Sequence, residues 1–442
     1  MKAYIILKER GIDLLTPLLG KPVVWYMVRA LASAGINHIS LLGDLDCEKT
    51  IEELKTLFTG DDFSLDTKRS VLEAFKEAPD EGDMFIVSGD MPFLSADTVK
   101  QVSDFYFGNN KLSVACAIHL PGKHSFDRVF DNDGVLTAII DKQDTWLPDR
   151  LKKRIEYANA GMYAFQGAML KTGIKMLEEK GKRTSFNITS VPNMLSESEH
   201  KVLVCHLASN AADFKRVTTH RQLAEATERK RKIINDMHMD AGVRMIDPAT
   251  VYIDAEVEIG AGCVLYPGVI LEGKCVIGEN TVLGPGTHIT DSFVDAGCKV
   301  RQSVIIDTKI GKGTTVGPFA YLRGGANVGN GCRVGSFVEI KNSNLGDGSG
   351  MAHLAYMGDA DVGKKVNYSC GAITCNYDGK KKHRTVIEDG AFIGSNSNLI
   401  APVRVGKNAF VAAGSTITDD VSDSALAIAR NRQSEKPDWN KT

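Results

Sequence analysis

No run of apolar residues in the 442-residue chain approaches the roughly 18 that a membrane-spanning helix requires, which excludes an α-helical membrane protein. The opening segment, Met1-Lys2-Ala3-Tyr4-Ile5-Ile6-Leu7-Lys8, is too short and wrongly flanked for a secretory signal. No two cysteines stand in C-x-x-C spacing. The nine, at Cys47, Cys116, Cys205, Cys263, Cys275, Cys298, Cys332, Cys370 and Cys375, are odd in number and scattered. Neither a zinc site nor a disulfide framework is indicated, and the expectation is reduced, mostly buried thiols. Charge of one sign is not in excess either: Lys+Arg 53 against Asp+Glu 55 leaves a net charge of -2, which excludes a basic nucleic-acid coat. These absences imply a soluble, cytoplasmic protein with no nucleic-acid partner and no membrane insertion. The length implies two to four domains.

Glycine is present in excess, 42 residues of the 442, above the usual ~7%. Its placement divides the chain. Up to about residue 220, short apolar runs alternate with helix-like stretches, the pattern of an α/β domain on a largely parallel sheet. Ala3–Leu7, His38–Leu42, Met84–Val87 and Leu112–Ala115 read as strands. Val24, Met27, Val28, Leu31 and Ala32 mark an amphipathic helix over Val23–Ala34, which completes a βαβ unit. Residues 218–240 read as one connecting helix. Its basic run, Arg229-Lys230-Arg231-Lys232, is interleaved with Glu225 and Glu228 and reads as a solvated face.

From residue 241 to 442 the period becomes six. Ile259, Leu265, Leu271, Ile277, Leu283 and Ile289 form one frame, and Val304, Ile310, Val316, Leu322, Val328, Val334 and Ile340 a second. Ile387, Ile393, Leu399, Val405, Val411 and Ile417 form a third. At 43% apolar composition so long an unbroken aliphatic series has a chance of roughly one in ten million. Glycine follows many of these positions, as at Gly260, Gly317 and Gly406. An inward aliphatic residue every six, followed by glycine at a corner, predicts a parallel β-helix of stacked coils. Most repeat residues are scaffold, so function is expected where the period breaks.

The largest break is 341–386, which gathers Lys341, His353, Tyr356, Asn367, Cys370, Asn376, Tyr377, Asp378 and Lys380-Lys381-Lys382. A histidine titrates near neutral pH and can serve as a general base. Arg323, Lys341 and Lys382 can supply positive charge for a phosphate.

The stretches Gly317-Pro318-Phe319-Ala320-Tyr321-Leu322-Arg323, Val338-Glu339-Ile340-Lys341, Ala352-His353-Leu354-Ala355-Tyr356-Met357-Gly358-Asp359-Ala360 and Ile373-Thr374-Cys375-Asn376-Tyr377-Asp378-Gly379 resemble a known family. It is the bacterial bifunctional N-acetylglucosamine-1-phosphate uridyltransferase/glucosamine-1-phosphate N-acetyltransferase family. The likeness continues through Leu399-Ile400-Ala401-Pro402-Val403 and Ala425-Leu426-Ala427-Ile428-Ala429-Arg430 and is specific over residues 241 to 432. It implies a left-handed β-helix that forms a homotrimer, with sites between neighbouring prisms. It implies small-molecule substrates, among them acetyl-CoA as acetyl donor. By resemblance His353 matches the general base, Arg323, Lys341 and Lys382 the ligands of a sugar phosphate, and Tyr356 and Asn367 the residues that hold the sugar. Asn376, Tyr377, Ser395, Ala413 and Arg430 match the acetyl-CoA site. Cys370 stands beside them where alanine is usual, and Gly325 stands where proline is common. Direct transfer needs a base and positioning, without a cysteine nucleophile.

Residues 1–217 resemble the family's Rossmann-like α/β nucleotidyltransferase domain more weakly. The Gly-x-Gly-Thr-Arg-Met turn that cradles triphosphate is missing from Leu7-Lys8-Glu9-Arg10-Gly11-Ile12-Asp13, where Glu9 adds negative charge. Lys21 matches a structural turn and not the catalytic lysine. The uracil-reading loop corresponds at best to Ser64-Leu65-Asp66-Thr67-Lys68-Arg69-Ser70, and Thr218 replaces a metal-binding asparagine. Asp90, matching a Mg²⁺ ligand, Asn159, and Asp141 in place of a glutamate remain. The expectation is an acetyltransferase whose uridyltransferase activity is absent or severely reduced, so that Mg²⁺ matters only if that site is active. Two alternatives stay open: a fully bifunctional enzyme, and an N-terminal half that binds a nucleotide or a partner without turnover.

Overall fold

The computed structural model describes residues 1–7, 13, 15–43, 56, 58, 64–68, 70–121, 126–141, 148, 155–181, 186–208, 211–437 and 439. Cys47, Glu9 and most of the 8–14 segment lie outside the described residues. No helix among them is long and apolar enough to cross a membrane. The chain forms two compact units, Met1–Thr227 and Glu228–Thr442.

The first unit carries a nine-stranded sheet. The expected strands form at Lys2–Ile6, His38–Leu42, Asp83–Ser88 and Ser113–His119. The first three run parallel, with Tyr4 opposite Ser40 on one side and Ile86 on the other. The expected helix forms over Val23–Ser33 and buries Val24, Met27, Val28 and Leu31. A strand that periodicity did not reveal, Tyr157–Gln166, runs antiparallel between Asp83–Ser88 and Ser113–His119. Its small residues are buried on both faces, so no alternation marks it. Its register shifts between Asn159 and Tyr163, and Gly161 within the shift has φ +72°, a bulge that turns Asn159 toward the strand ends. Ser64–Lys68, expected as a loop, is instead an edge strand parallel to His38–Leu42.

The connecting helix spans His220–Asp240. Thr219 Oγ1 accepts the Gln222 N–H at 3.2 Å while Gln222 Oε1 accepts the Thr218 N–H at 2.9 Å, a reciprocal cap that fixes where the helix starts. Its basic run is only partly solvated. Burial pushes the Lys230 ammonium down to about 8, and the Arg231 guanidinium lies 5.1 Å from the Tyr252 ring centre.

The second unit is a three-sided parallel β-helix whose faces are sheets of eleven, ten and nine short strands. Each coil places one strand on each face, and every strand pairs with its counterpart one coil on, as Leu265 with Leu283 and Leu271 with Ile289. The six-residue frames fill the interior with two exceptions. Ile259 is half-buried, and Val304 is 38% exposed while its neighbour Ile305 is fully buried. Some sides are one residue short, as from Ile289 to Val294 and from Val300 to Ile305 and Ile310, so the frame moves by one. At the shortened corners Asp291, Gln302 and Asp307 take φ values of 45°, 43° and 47°. Short polar side chains tolerate this left-handed region better than most.

The expected break at 341–386 is mostly continuous coil. Leu345, Met351, Met357, Val362, Tyr368 and Thr374 occupy the inward positions, and the coil is interrupted only by residues 376–384. Non-aliphatic inward residues and five-residue sides hid the repeat. Among the described residues all cysteines are free, and six of them, including Cys116, Cys205 and Cys263, are buried.

Candidate functional site

The second face of the β-helix brings the expected cations together. Arg323 ends the strand Tyr321–Arg323 and lies in register with Lys341 of Glu339–Lys341, which in turn pairs with Gly358 of Tyr356–Gly358. Neighbouring strands lie ~4.8 Å apart, so the two side chains stack outward on one ladder. Glu339 orients Arg323, accepting from its Nε at 3.1 Å and its terminal nitrogen at 2.6 Å. Lys382 reaches the same patch from the 376–384 segment. Its amino group pushes the Lys341 ammonium below the ordinary lysine range, with Arg323 adding to the effect. Arg323 and Lys341 on the ladder and Lys382 beside them form a cationic patch, of the charge that suits an anion.

The 376–384 segment is a hairpin held by its own polar groups. Tyr377 bridges to Lys382 across it, and the Asp378 carboxylate accepts the N–H groups of Lys380 and Lys381 at 2.7 and 2.8 Å. Those bonds and His383, 2.7 Å away, lower Asp378 to about 2. The hairpin is anchored by Asp359, a buried carboxylate that accepts from the Asn342 side chain at 2.6 Å and from the Asn376 side chain. Sequence reasoning missed Asp359; Asn376, expected on the acetyl donor, donates one amide N–H to this anchor. The Tyr356 phenol lies over Gly358, where a side chain would collide with its hydroxyl and with the Asn376 amide, so glycine leaves room for both.

His353 occupies the corner between the first and second faces and is exposed. Its φ of 69° is unusual for a histidine and projects the imidazole away from the prism. The corner rises through successive coils: the Gly371 N–H donates to His353 O at 3.1 Å, Asn396 N–H to Cys370 O at 2.8 Å, and Gly414 N–H to Ser395 O at 2.8 Å. His353, Cys370, Ser395 and Ala413 therefore stand one above another, and the Arg430 side chain reaches within 3.6 Å of a side chain built at Gly414. The column runs from His353 at one end to the Arg430 cation at the other. Tyr377 is 61% exposed beside it in sequence. Asn367 does not join Tyr356: it lies on the first face, around the corner, where its amide donates to Ser369 Oγ at 2.8 Å. Gly325 has φ +79° and its N–H donates to Asp307 O at 2.9 Å, two demands that proline cannot meet.

The N-terminal unit has a cavity of about 650 Å³ lined in part by Asp141, Asn159, Tyr163, Arg216 and Thr218. Asn159 is buried; its side chain donates to Tyr163 Oη at 2.7 Å and accepts the Gly161 N–H at 3.0 Å. Burial pushes the Tyr163 phenol up to about 12, so it stays a hydroxyl. Asp90, 3% exposed, accepts from Ser88 Oγ at 2.8 Å, and the same oxygen lies 3.7 Å from the Arg216 guanidinium. Thr218 spends its hydroxyl on Gln222 at 2.9 Å. Among the described residues no group of three or more His, Cys, Asp or Glu could hold a metal ion. With a guanidinium beside the buried Asp90 carboxylate and Thr218 where a metal-binding asparagine was expected, this pair does not fit Mg²⁺. Lys21 is buried, 5.5 Å from the Trp25 ring centre, in the short hairpin of Pro17–Leu18 and Lys21–Pro22, a structural position.

Comparison with known proteins agrees with both halves. The bacterial transferase hexapeptide (six repeats) family matches residues 256–291, 307–342 and 384–419, and the MobA-like NTP transferase domain matches 13–129. The bifunctional protein GlmU of Carboxydothermus hydrogenoformans is 40% identical over 95% of this chain and 94% of its own length. That of Geobacillus sp. is 37% identical over 98% of this chain and 94% of its own. Identity of this level over nearly the full length of both partners, with the acetyl-transfer motifs standing on one face and corner of the prism, places the chain in the bifunctional GlmU family.

Proposed function

We propose that the protein transfers the acetyl group of acetyl-CoA to the amine of glucosamine 1-phosphate, giving N-acetylglucosamine 1-phosphate for UDP-N-acetylglucosamine synthesis. The observation that carries this reading is the convergence of Lys382, from the 376–384 hairpin, with Arg323 and Lys341 of one ladder, beside the corner that presents His353. The cation patch takes the sugar phosphate. Tyr356 sits beside it to hold the sugar, and His353 accepts a proton from the amine as its nitrogen attacks the thioester carbonyl. The new N–C bond forms, the C–S bond breaks, and the proton leaves His353 for the departing thiolate. The corner column of Cys370, Ser395 and Ala413 lies along the extended donor, and Arg430 meets its phosphates. Asn367, on the adjacent face, and the exposure of His353 support a site completed by a neighbouring prism, as a homotrimer would provide. Acetyl transfer to glucosamine 1-phosphate, followed by thiol release from acetyl-CoA, tests the reading; a protein inert with this acceptor would refute it.

For the N-terminal unit we infer that uridyl transfer is lost or severely reduced. Support comes from Arg216 beside Asp90, Thr218 engaged in the helix cap, and the missing glycine-rich turn. The bifunctional reading has its own support in the near full-length identity to proteins that are named bifunctional. Formation of UDP-N-acetylglucosamine from UTP, N-acetylglucosamine 1-phosphate and Mg²⁺ decides between them.

A further inference from the structure

The cavity of the N-terminal unit keeps the form of a binding site while its charges no longer suit a metal-bound triphosphate. Asp90 is almost fully buried, and one of its oxygens, Oδ2, is buried with no hydrogen-bond partner among the described residues. A carboxylate so placed needs a cation. The cation present is Arg216, whose guanidinium stands 3.7 Å from Oδ1 with its side chain 31% exposed. The space for it is provided by the bulge: a side chain at Gly161 would begin 2.9 Å from the Arg216 terminal nitrogen, and φ +72° there favours glycine. Arg216 and Gly161 thus line the cavity, with the Asp90 carboxylate buried behind the guanidinium.

The remaining lining defines a ligand. Lys215 is held by Glu225 at 2.5 Å, while Asp127 and Asp141 bring negative charge to the same walls. A triphosphate without metal would face two carboxylates with Arg216 as its main counter-charge. A single phosphate is matched, because a guanidinium whose Nε stands 3.7 Å from Asp90, within ion-pair range, keeps its terminal N–H groups for a second anion. Asn159, Asn187 and Thr189 supply donors and acceptors for hydroxyl groups, and Phe126 and Phe186 supply apolar walls. The volume of about 650 Å³ is that of a small-molecule pocket.

We propose that Arg216 takes the place of a divalent cation at Asp90, so that this cavity binds a singly phosphorylated sugar without metal. The inference rests on the reading that uridyl transfer is lost. The test uses the full chain carrying Lys341→Ala and Lys382→Ala, which weakens the anion patch of the β-helix, and glucose 1-phosphate as the probe. Calorimetry in EDTA is expected to show saturable binding that added Mg²⁺ leaves unchanged. Arg216→Gln is expected to weaken it about tenfold or more, and Arg216→Lys less, with unchanged thermal unfolding of both variants. No binding in EDTA, binding that requires Mg²⁺, or an Arg216→Gln variant that binds as before would each overturn the proposal. Electron paramagnetic resonance of Mn²⁺ added to the otherwise unaltered protein separates the two readings. Mn²⁺ binding abolished by Asp90→Asn, together with formation of UDP-N-acetylglucosamine, would refute the loss of uridyl transfer as well. Absence of both, with no glucose 1-phosphate binding, would remove only the metal-free site.

Discussion

Lys341 and Lys382 hold two ammonium groups side by side with Arg323 near, an arrangement that costs energy until an anion neutralises it. Lys382→Ala should raise the Michaelis constant for the phosphosugar roughly five- to tenfold with little change in turnover, as expected for a solvent-screened ground-state contact. The pH dependence follows from the same pair. Lys341 lies below the ordinary lysine range chiefly because of Lys382, so the patch loses a positive charge at lower pH than separate lysines would. The Michaelis constant should therefore climb as pH rises toward that lowered value. In Lys382→Ala, Lys341 keeps its proton to higher pH and the climb should move upward, which steady-state kinetics across alkaline pH would read. His353→Ala should reduce turnover roughly 10²–10⁴-fold with the fold intact by circular dichroism. His353, Arg323 and the lysines were legible because they stand in long motifs. The bond of Asp359 to Asn376 was not, since it joins different coils and spacing along the chain carries no trace of it.

At the scale of the element, the register of the prism is the issue. A strict six-residue count selects Val304, but the side before it holds five residues and Ile305 fills the interior. Ile305→Ala should cost about 2–5 kcal/mol by denaturant unfolding, whereas Val304→Ala should stay within about 0.5 kcal/mol. Equal costs would show the frame to be misplaced. The repeat itself was plain in the sequence because Leu265, Leu271, Ile277, Leu283 and Ile289 stand six apart, all aliphatic and all buried. It faded where Met351, Met357, Tyr368 and Thr374 point inward, which made continuous coil look like a long interruption. In the N-terminal unit the parallel strands were legible as apolar runs. Tyr157–Gln166 was hidden by its small residues, and with it the bulge that seats Asn159 and makes room for Arg216. Arg216 itself carried no signal, because a lone arginine before a helix reads as a surface charge until its distance to Asp90 is known.

At the scale of the whole molecule, the exposed base at His353, with Asn367 on one face and Tyr356 on the next, calls for a second prism against the corner. Sedimentation equilibrium should give three times the 48.0 kDa chain mass, and a monomer with full acetyl-transfer activity would contradict the shared site. The two compact units differ in what they present: a β-helix with Arg323, Lys341 and Lys382 gathered and His353 exposed, and an α/β unit in which an arginine faces the buried carboxylate. The most direct measurement sets the two chemistries against each other on one preparation. Purified protein is given UTP, N-acetylglucosamine 1-phosphate and Mg²⁺ with UDP-N-acetylglucosamine quantified by mass spectrometry, while acetyl transfer to glucosamine 1-phosphate is followed in parallel. Brisk acetyl transfer with no UDP-N-acetylglucosamine is the predicted result, and robust formation of both products would contradict it.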